Sequence, residues 1–525
     1  MVVKGVIKKG QYFDSVTLML VAKALTEIDG IDDAAIVMGT EENKSILEAS
    51  GMLLDEFKEA KDSDLIIAVK AKDDKLAEEA LEKAEKDLQE SRTKFEEAGD
   101  YLPKSLEGAI EIMPDANLVL ISVAGKYAGD EAMKALEKGL HVMLFSDNVP
   151  LEKEIELKKY ARDKGLLVMG PDCGTAIING APLAFSNVVN RGDIGIVAAS
   201  GTGLQEVSCV ITNEGAGISQ AIGTGGRDVK KDVGGIMFLE GMKALNEDEN
   251  TKIIALVSKP PHEDVLKKIA ELIKDEIKKP VVGIFIGGDP EVVKNAGAIP
   301  ASTLEEAGLI AASLSKGKSM DEFKKLLEER EEEIKKLADE EASKKKDGQK
   351  YVRGLYTGGT LCDEAQLLFK DMIGYVYGNA PLKDEFKLKD SWKSYKNTVI
   401  DLGEDEFTVG RPHPMIDYTL RNKKILEEAK DPEVAIILLD VVLGYGSNMK
   451  PGEELAPVIK EAKEIAKKEG RDLSIICSIT GTKKDPQNKE KVEKELKEAG
   501  AIVMPSNAAA SKLSAYIVKK LGGDK

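Results

Sequence analysis

The chain has 525 residues, with 93 acidic against 75 basic side chains for a formal net charge of −18, 42% hydrophobic residues and 5% aromatics. That length suggests three to four domains, and the acidic balance argues against nucleic acid and anionic membrane surfaces as partners. The longest apolar runs, 253–257 and 435–439, fall far short of the ~18 residues of a membrane span, the N-terminus shows no leader pattern, and Cys173, Cys209, Cys362 and Cys477 form no CxxC pair, which together predict a cytoplasmic protein with no structural metal.

In chain order, residues 2–7 alternate like a strand, 15–28 carry apolar residues at helical spacing, 34–37 and 65–69 are β-rich, and 73–97 read as a charged helix. This order predicts a small ferredoxin-like α+β domain over 1–100. From about 102 to 314 short apolar strands (118–122, 142–145, 166–169, 194–199, 253–257 and 281–286) alternate with amphipathic helices. Continuous apolar strands of this kind belong to parallel sheets covered on both faces. The Asn190-Arg-Gly-Asp193 turn separates two subdomains, 101–190 and 191–315. Residues 316–350 are dense in charge of both signs and predict a solvated helical linker. Over 351–525 the alternation resumes, with strands at 354–356, 398–402, 435–440, 474–478 and 502–504, and no fixed-period repeat.

One device recurs: a strand runs into Gly and Ser/Thr, and a helix begins. It occurs at Ser200-Gly-Thr202, at Thr357-Gly-Gly-Thr360 and at Ser478-Ile-Thr-Gly-Thr482. Glycines let the backbone approach an anion, hydroxyls donate hydrogen bonds, and the helix N-terminus adds unpaired N–H groups and a partial positive charge. The carboxyl ends of parallel strands are where such sheets bind ligands. A fourth glycine-rich turn, Gly223-Thr-Gly-Gly-Arg-Asp228, offers Gly225, Gly226 and Arg227; here Arg227 either clamps an anion or pairs with Asp228 to stiffen the loop. In Gly410-Arg-Pro-His-Pro-Met-Ile-Asp417 two prolines stiffen a segment bearing Arg411, His413 and Asp417, which either together bind an anion and move a proton or are incidental to a rigid inter-element loop. No GxxxxGK[ST] string is present. Cys173 and Cys362 read as structural thiols, His262 as the opening of a helix and His141 as structural.

Gly170-Pro-Asp-Cys-Gly174, Gly192-Asp-Ile-Gly-Ile-Val-Ala-Ala-Ser-Gly-Thr202 and Gly223-Thr-Gly-Gly-Arg-Asp-Val229 resemble the α subunit of succinyl-CoA synthetase, and residues 351–520 are similar to the ligase domain of its β subunit. With the 410–417 motif and the small N-terminal domain, the chain is identified as a member of the FdrA family of acyl-CoA-synthetase-like proteins. The resemblance implies an α/β fold: a truncated CoA-binding-like Rossmann domain over 101–190 and flavodoxin-like ligase domains with parallel sheets over 191–315 and 351–525. It also implies CoA or phosphate as ligands, an acyl or carbamoyl substrate, companion subunits in a homo- or hetero-oligomer, and carbamoyl transfer between oxamate and phosphate in purine (allantoin) breakdown. Such synthetases carry phosphate on a histidine; the corresponding stretch, 297–308, has none, so no phosphohistidine is expected. On this reading Ser200, Gly201, Thr202, Thr357, Gly358, Gly359 and Thr360 cradle phosphate oxygens, with Gly225 and Gly226 beside them. Arg227 and Arg411 neutralise charge, and His413 moves a proton. The alternatives are an ADP- or GDP-forming acyl-CoA ligase subunit and a regulatory or assembly protein on a ligase scaffold.

Overall fold

Two units divide the chain in the computed structural model, residues 1–117 with 404–413 and residues 118–403 with 414–525. The structure describes all residues but Asp14, 97–102, Lys104, 409–410 and 524–525, so the expected boundary at 100/101 and Gly410 lie outside the described residues.

In the first unit β1 (Val2–Lys8), α1 (Ser15–Thr26), β2 (Ile31–Met38), α2 (Glu41–Ala49), β3 (Leu65–Ala71) and α3 (Asp74–Glu96) precede the short α4 (Leu106–Ile112). The sheet order is β1-β3-β2, with β3 antiparallel to both neighbours. β3 is covered on both faces. Leu65, Ile67 and Val69 meet Leu18, Leu25, Ala77 and Ala84 on one side, while Ile66 and Ala68 meet Leu47 and Phe57 on the other. The period-2 alternation of a strand therefore reads here as one unbroken apolar run.

The second unit opens with β4 (Leu118–Ile121), α5 (Gly125–Glu137), β5 (His141–Leu144), α6 (Leu151–Asp163) and β6 (Val168–Met169), a three-stranded parallel sheet. A hairpin, β7 (Thr175–Ile178) and β8 (Ala181–Ala184), turns through Asn179 and Gly180 at φ 50° and 84°. It pairs onto the next sheet, ahead of the boundary expected at 190/191. That sheet continues with β9 (Arg191–Ala199), α7 (Gly201–Asn213), β10 (Ile218–Gly223), α8 (Ile236–Glu247), β11 (Ile253–Ser258), α9 (Glu263–Asp275), β12 (Val281–Phe285), α10 (Pro290–Asn295), β13 (Ile299–Pro300) and α11 (Leu304–Ser315). Its order is β13-β12-β11-β9-β10-β7-β8, in which β9 to β13 are parallel.

After α12 (Met320–Ala342) a second half follows: β14 (Tyr351–Tyr356), α13 (Gly359–Ile373), β15 (Thr398–Asp401), the short α14 (Asp405–Thr408) that groups with the first unit, α15 (Thr419–Glu428), β16 (Val434–Val442), α16 (Pro451–Lys468), β17 (Ser474–Thr480), α17 (Lys489–Glu498), β18 (Ile502–Met504) and α18 (Asn507–Lys520). Its order, β15-β14-β16-β17-β18, is all parallel. Numbered from their own first strands, both halves have the flavodoxin-like order 2-1-3-4-5, whose switch point lies between the first and third strands. One apolar core joins them, with Leu204 on α7, Leu309 on α11, Leu361 and Phe369 on α13 and Leu513 on α18. α12 is more than a solvated linker. Phe323, Ile334 and Ala338 are buried in that core, Arg330 pairs with Glu305 of the first half, and Glu331 accepts from Lys512 (3.1 Å) and Tyr516 of the second.

Candidate active site at the junction of two helix starts

β9 ends without a polar residue until Ser200, whose extended backbone starts α7 and whose Oγ accepts from Gly203 N (3.1 Å). β14 ends likewise, and Thr357-Gly358 starts α13. The two starts meet: Ser200 Oγ lies 2.7 Å from Thr360 Oγ1. Among the described residues no hydrogen bond ties the N–H groups of Gly201 and Thr202, or of Gly359 and Thr360. These are the orphan donors of a helix's first turn, and here two positive helix ends converge at two hydroxyls, an arrangement that attracts an anion.

Thr357 and Gly358 take a different part from the one expected. Thr357 N and Gly358 N each donate to the Asp440 carboxylate at 2.8 Å, and Thr357 Oγ1 donates to it at 3.0 Å. Asp440, in the last third of β16, also faces the Arg421 guanidinium, which donates to its backbone oxygen at 2.6 Å and stands 3.3 Å from Oδ1. Both side chains are fully buried, and the Tyr418 ring covers the guanidinium at 4.1 Å. Burial pushes the Asp440 carboxyl up, against the pull of Arg421 and of the two N–H donors. The cradle left open to an anion is therefore Ser200, Gly201, Thr202, Gly359 and Thr360. It is tight: a Cβ on Gly358 would stand 2.9 Å from Thr202 Cγ2, and one on Gly359 would stand 2.8 Å from Asp401 Oδ2.

Several of the remaining predicted residues have partners of their own. The 478–482 turn starts no helix. Thr480 hydrogen-bonds Glu206, Thr482 N donates to Asp485 (2.7 Å) and Thr482 Oγ1 to Val188 O (2.7 Å), a seam between the halves. Arg227 pairs with Glu154 (2.8 Å) and donates to Val149 O (2.7 Å), rather than with Asp228. Asp228 caps α8 through Met237 N and Phe238 N and accepts from the fully buried Lys158 at 2.8 Å. Gly225 packs against the preceding segment, since its Cβ would stand 2.2 Å from Pro171 O, whereas Gly226 faces open space. Arg411 and His413 belong to the first unit. Burial lowers the His413 imidazole to about 4, so at neutral pH it is uncharged and holds no acidic proton to give. His141 accepts from Leu167 N, and His262 caps α9. Burial raises the Cys173 thiol to about 12 and that of Cys362 well above its usual value, as structural thiols require. Among the described residues no group of His, Cys, Asp and Glu side chains is arranged to hold a metal ion, and no helix is long and apolar enough to cross a membrane.

Two buried glutamates at this junction escaped the sequence reading. Glu206 and Glu364 are each the sixth residue of α7 and of α13. Glu206 accepts from Asn507 N (3.2 Å), the first residue of α18, and Glu364 accepts from Leu304 N (2.7 Å), the first residue of α11. Asn507 Nδ2 adds a donation to Glu364 at 2.8 Å. Each half's first helix thus caps the last helix of the other half. The usable signal was the match of Ser-Gly-Thr-Gly-Leu-Gln-Glu206 to Gly-Gly-Thr-Leu-Cys-Asp-Glu364.

Two flavodoxin-ordered sheets joined through their first helices make this an acyl-CoA-synthetase-like α/β protein. Three family models match in succession: the AllF heavy metal-associated domain over residues 1–101, the CoA binding domain over 189–287 and CoA-ligase over 355–517. The YahF protein of Escherichia coli (strain K12) is 43% identical over 520 residues, covering 99% of each chain, and the chain belongs to this family of FdrA-like, acyl-CoA-synthetase-like proteins. A succinate–CoA ligase [ADP-forming] α subunit of Staphylococcus epidermidis is 28% identical over 215 residues, 40% of this chain and 67% of that one. Among solved structures, the dinucleotide-forming acetyl-coenzyme A synthetase 1 of Ca. Korarchaeum cryptofilum matches at TM-score 0.33 and 16% identity, over 78% of this chain and 84% of its own.

Proposed function

We propose that the chain is a ligase-type component of acyl-CoA chemistry that holds the phosphate end of an acyl phosphate, or phosphate itself, where α7 and α13 begin. The observation that carries this is the 2.7 Å contact of Ser200 with Thr360 between two helix starts; the matches to CoA-binding and CoA-ligase models support it. The N–H groups of Gly201, Thr202, Gly359 and Thr360 stabilise the charge that gathers on phosphate oxygens as the acyl–oxygen bond breaks. The open glycine backbone and the hydroxyls fit such an anion. Coenzyme A, when bound, supplies the thiol that accepts the acyl group. His141 and His262 both have other places in the fold, which supports a phosphate held rather than carried on imidazole. The same observation favours, as a second reading, direct carbamoyl or acyl transfer to phosphate in company with further subunits.

Phosphate titration followed by ³¹P NMR tests the site. Ser200→Ala with Thr360→Val removes two hydroxyl contacts to a charged ligand, each worth about 1.5–3 kcal/mol. Phosphate affinity is expected to fall at least tenfold while the fold persists by circular dichroism; unchanged affinity overturns the assignment. Acetyl-CoA formation from acetyl phosphate and CoA, against carbamoyl phosphate formation from oxamate derivatives, separates the two readings.

A further inference from the structure

The junction as described so far holds hydroxyls and N–H groups but no cation. Arg227 is tied to Glu154 and Arg421 is buried on Asp440. Lys259 is the cation that strand register sets beside the junction. Ser258 pairs in register with Ala199, so Lys259 is the residue level with Ser200 across the β9/β11 switch point, where flavodoxin-ordered sheets bind ligands. Neighbouring strands lie about 4.8 Å apart there. The Lys259 ammonium forms an ion pair with Asp363, which follows Thr360 by three residues and so shares its face of α13. Its side chain is 51% exposed, against 19% for Asp363, so the cation can exchange partners while the carboxylate stays sheltered.

The pair also heads a groove of about 300 Å³. Asp363, Leu367 and Lys370, at i, i+4 and i+7 of α13, form one wall, Ile286 at the end of β12 the other, and Tyr375 lies beyond. A charged head beside the Leu367 and Ile286 side chains suits an anionic group on a short carbon chain.

We propose that Lys259 is the anion-neutralising residue of this site, resting on Asp363 until phosphate takes its place, and that the groove it heads binds the acyl body of a short carboxylic-acid-derived substrate. This rests on the phosphate reading of the helix junction and adds its cation and its acyl pocket. A phosphate dianion outbids a single carboxylate for the ammonium because it brings more charge and also satisfies the N–H groups of both helix starts.

The test uses the full chain, inorganic phosphate followed by ³¹P NMR and butyrate followed by saturation-transfer NMR. Lys259→Met is expected to weaken phosphate binding at least tenfold, with Lys259→Arg retaining most of it. Asp363→Asn removes the competing carboxylate and is expected to tighten phosphate binding several-fold, an outcome that lost packing would not produce. Leu367→Glu is expected to abolish the butyrate signal. Phosphate binding lost in Ser200→Ala but intact in Lys259→Met overturns this proposal and leaves the junction reading standing. Weaker binding in Asp363→Asn, or butyrate transfer unchanged in Leu367→Glu, overturns it too. A wild-type chain that binds no phosphate ends both readings.

Discussion

The sheet of β9 to β13 and the sheet of β14 to β18 follow one plan: the same strand order, a first helix from the switch point, and a buried glutamate on that helix capping the last helix of the other half. They differ at the helix start. In the first half Ser200 caps α7 with its own side chain. In the second, Gly358 has no side chain to offer, and Asp440 reaches across from β16 to take the N–H groups of Thr357 and Gly358. One residue beyond the last registered pair of β14 with β16, Leu355 with Leu439, Asp440 stands level with Tyr356; Ser258 stands level with Ala199 in the first half. A carboxylate in one half thus answers a hydroxyl in the other. The first half keeps its helix dipole open to a ligand, while the second spends part of its own on a buried protein anion.

The largest expected consequence is at that pair of positions. Asp440→Ala leaves Arg421 buried with no counter-charge and is expected to cost about 3–5 kcal/mol, read from urea denaturation. Ser258→Ala removes one hydroxyl bond, Ser258 Oγ to Lys259 O, and is expected to cost about 1 kcal/mol. Equal costs would break the comparison, because they would mean that Asp440 caps α13 no more firmly than Ser258 holds its own loop.

The two capping glutamates sharpen it through pH. Burial raises both carboxyls, that of Glu364 to about 7, with Leu304 N and Asn507 pulling the other way. The unfolded chain releases this proton near 4.3, so between about 4.5 and 7 the folded state binds more protons. Stability therefore falls as pH rises through that window. The shift corresponds to roughly 4 kcal/mol for Glu364 at 1.4 kcal/mol per unit. Glu364→Gln, which cannot ionise, is expected to flatten the decline in denaturation free energy from pH 5 to 7. A variant whose stability declines as steeply as the wild type would show that Glu364 is ionised in the fold throughout.

Much of this architecture was legible in the residues. Unbroken apolar runs such as 194–199 and 435–439 announced buried parallel strands, and Ser200-Gly-Thr202 and Thr357-Gly-Gly-Thr360 announced helix starts that proved to touch. One local signal was there and went unused: Asn179-Gly180 is a two-residue hairpin turn of the left-handed type, and it joins β7 to β8. The other misses were not local. Asp440 interrupts an apolar strand and reads as a surface charge, until the pairing of β14 with β16 sets it beneath the start of α13. Glu206 and Glu364 acquire their roles only when helices 301 and 60 residues away in the chain bring N–H groups to them. Arg227 and Arg411 had the chemistry for an anion, but an arginine's partner is decided by tertiary proximity, and the fold gave Arg227 to Glu154.

The smallest expected effect compares the first glycine of each helix. On Gly201 a Cβ would meet nothing nearer than Thr175 Oγ1 at 3.8 Å, while on Gly359 it would meet Asp401 Oδ2 at 2.8 Å. Asp401 is not at liberty to swing aside, since its other carboxylate oxygen accepts from Gly403 N at 2.8 Å. Gly201→Ala is therefore expected to leave stability unchanged or raise it by up to about 1 kcal/mol, by narrowing the unfolded ensemble. Gly359→Ala should lower it by about 1–3 kcal/mol through overpacking. Thermal unfolding of the two variants side by side reads the difference. If both are tolerated alike, the start of α13 has as much room as that of α7, and the asymmetry between the halves rests on the charge of Asp440 alone.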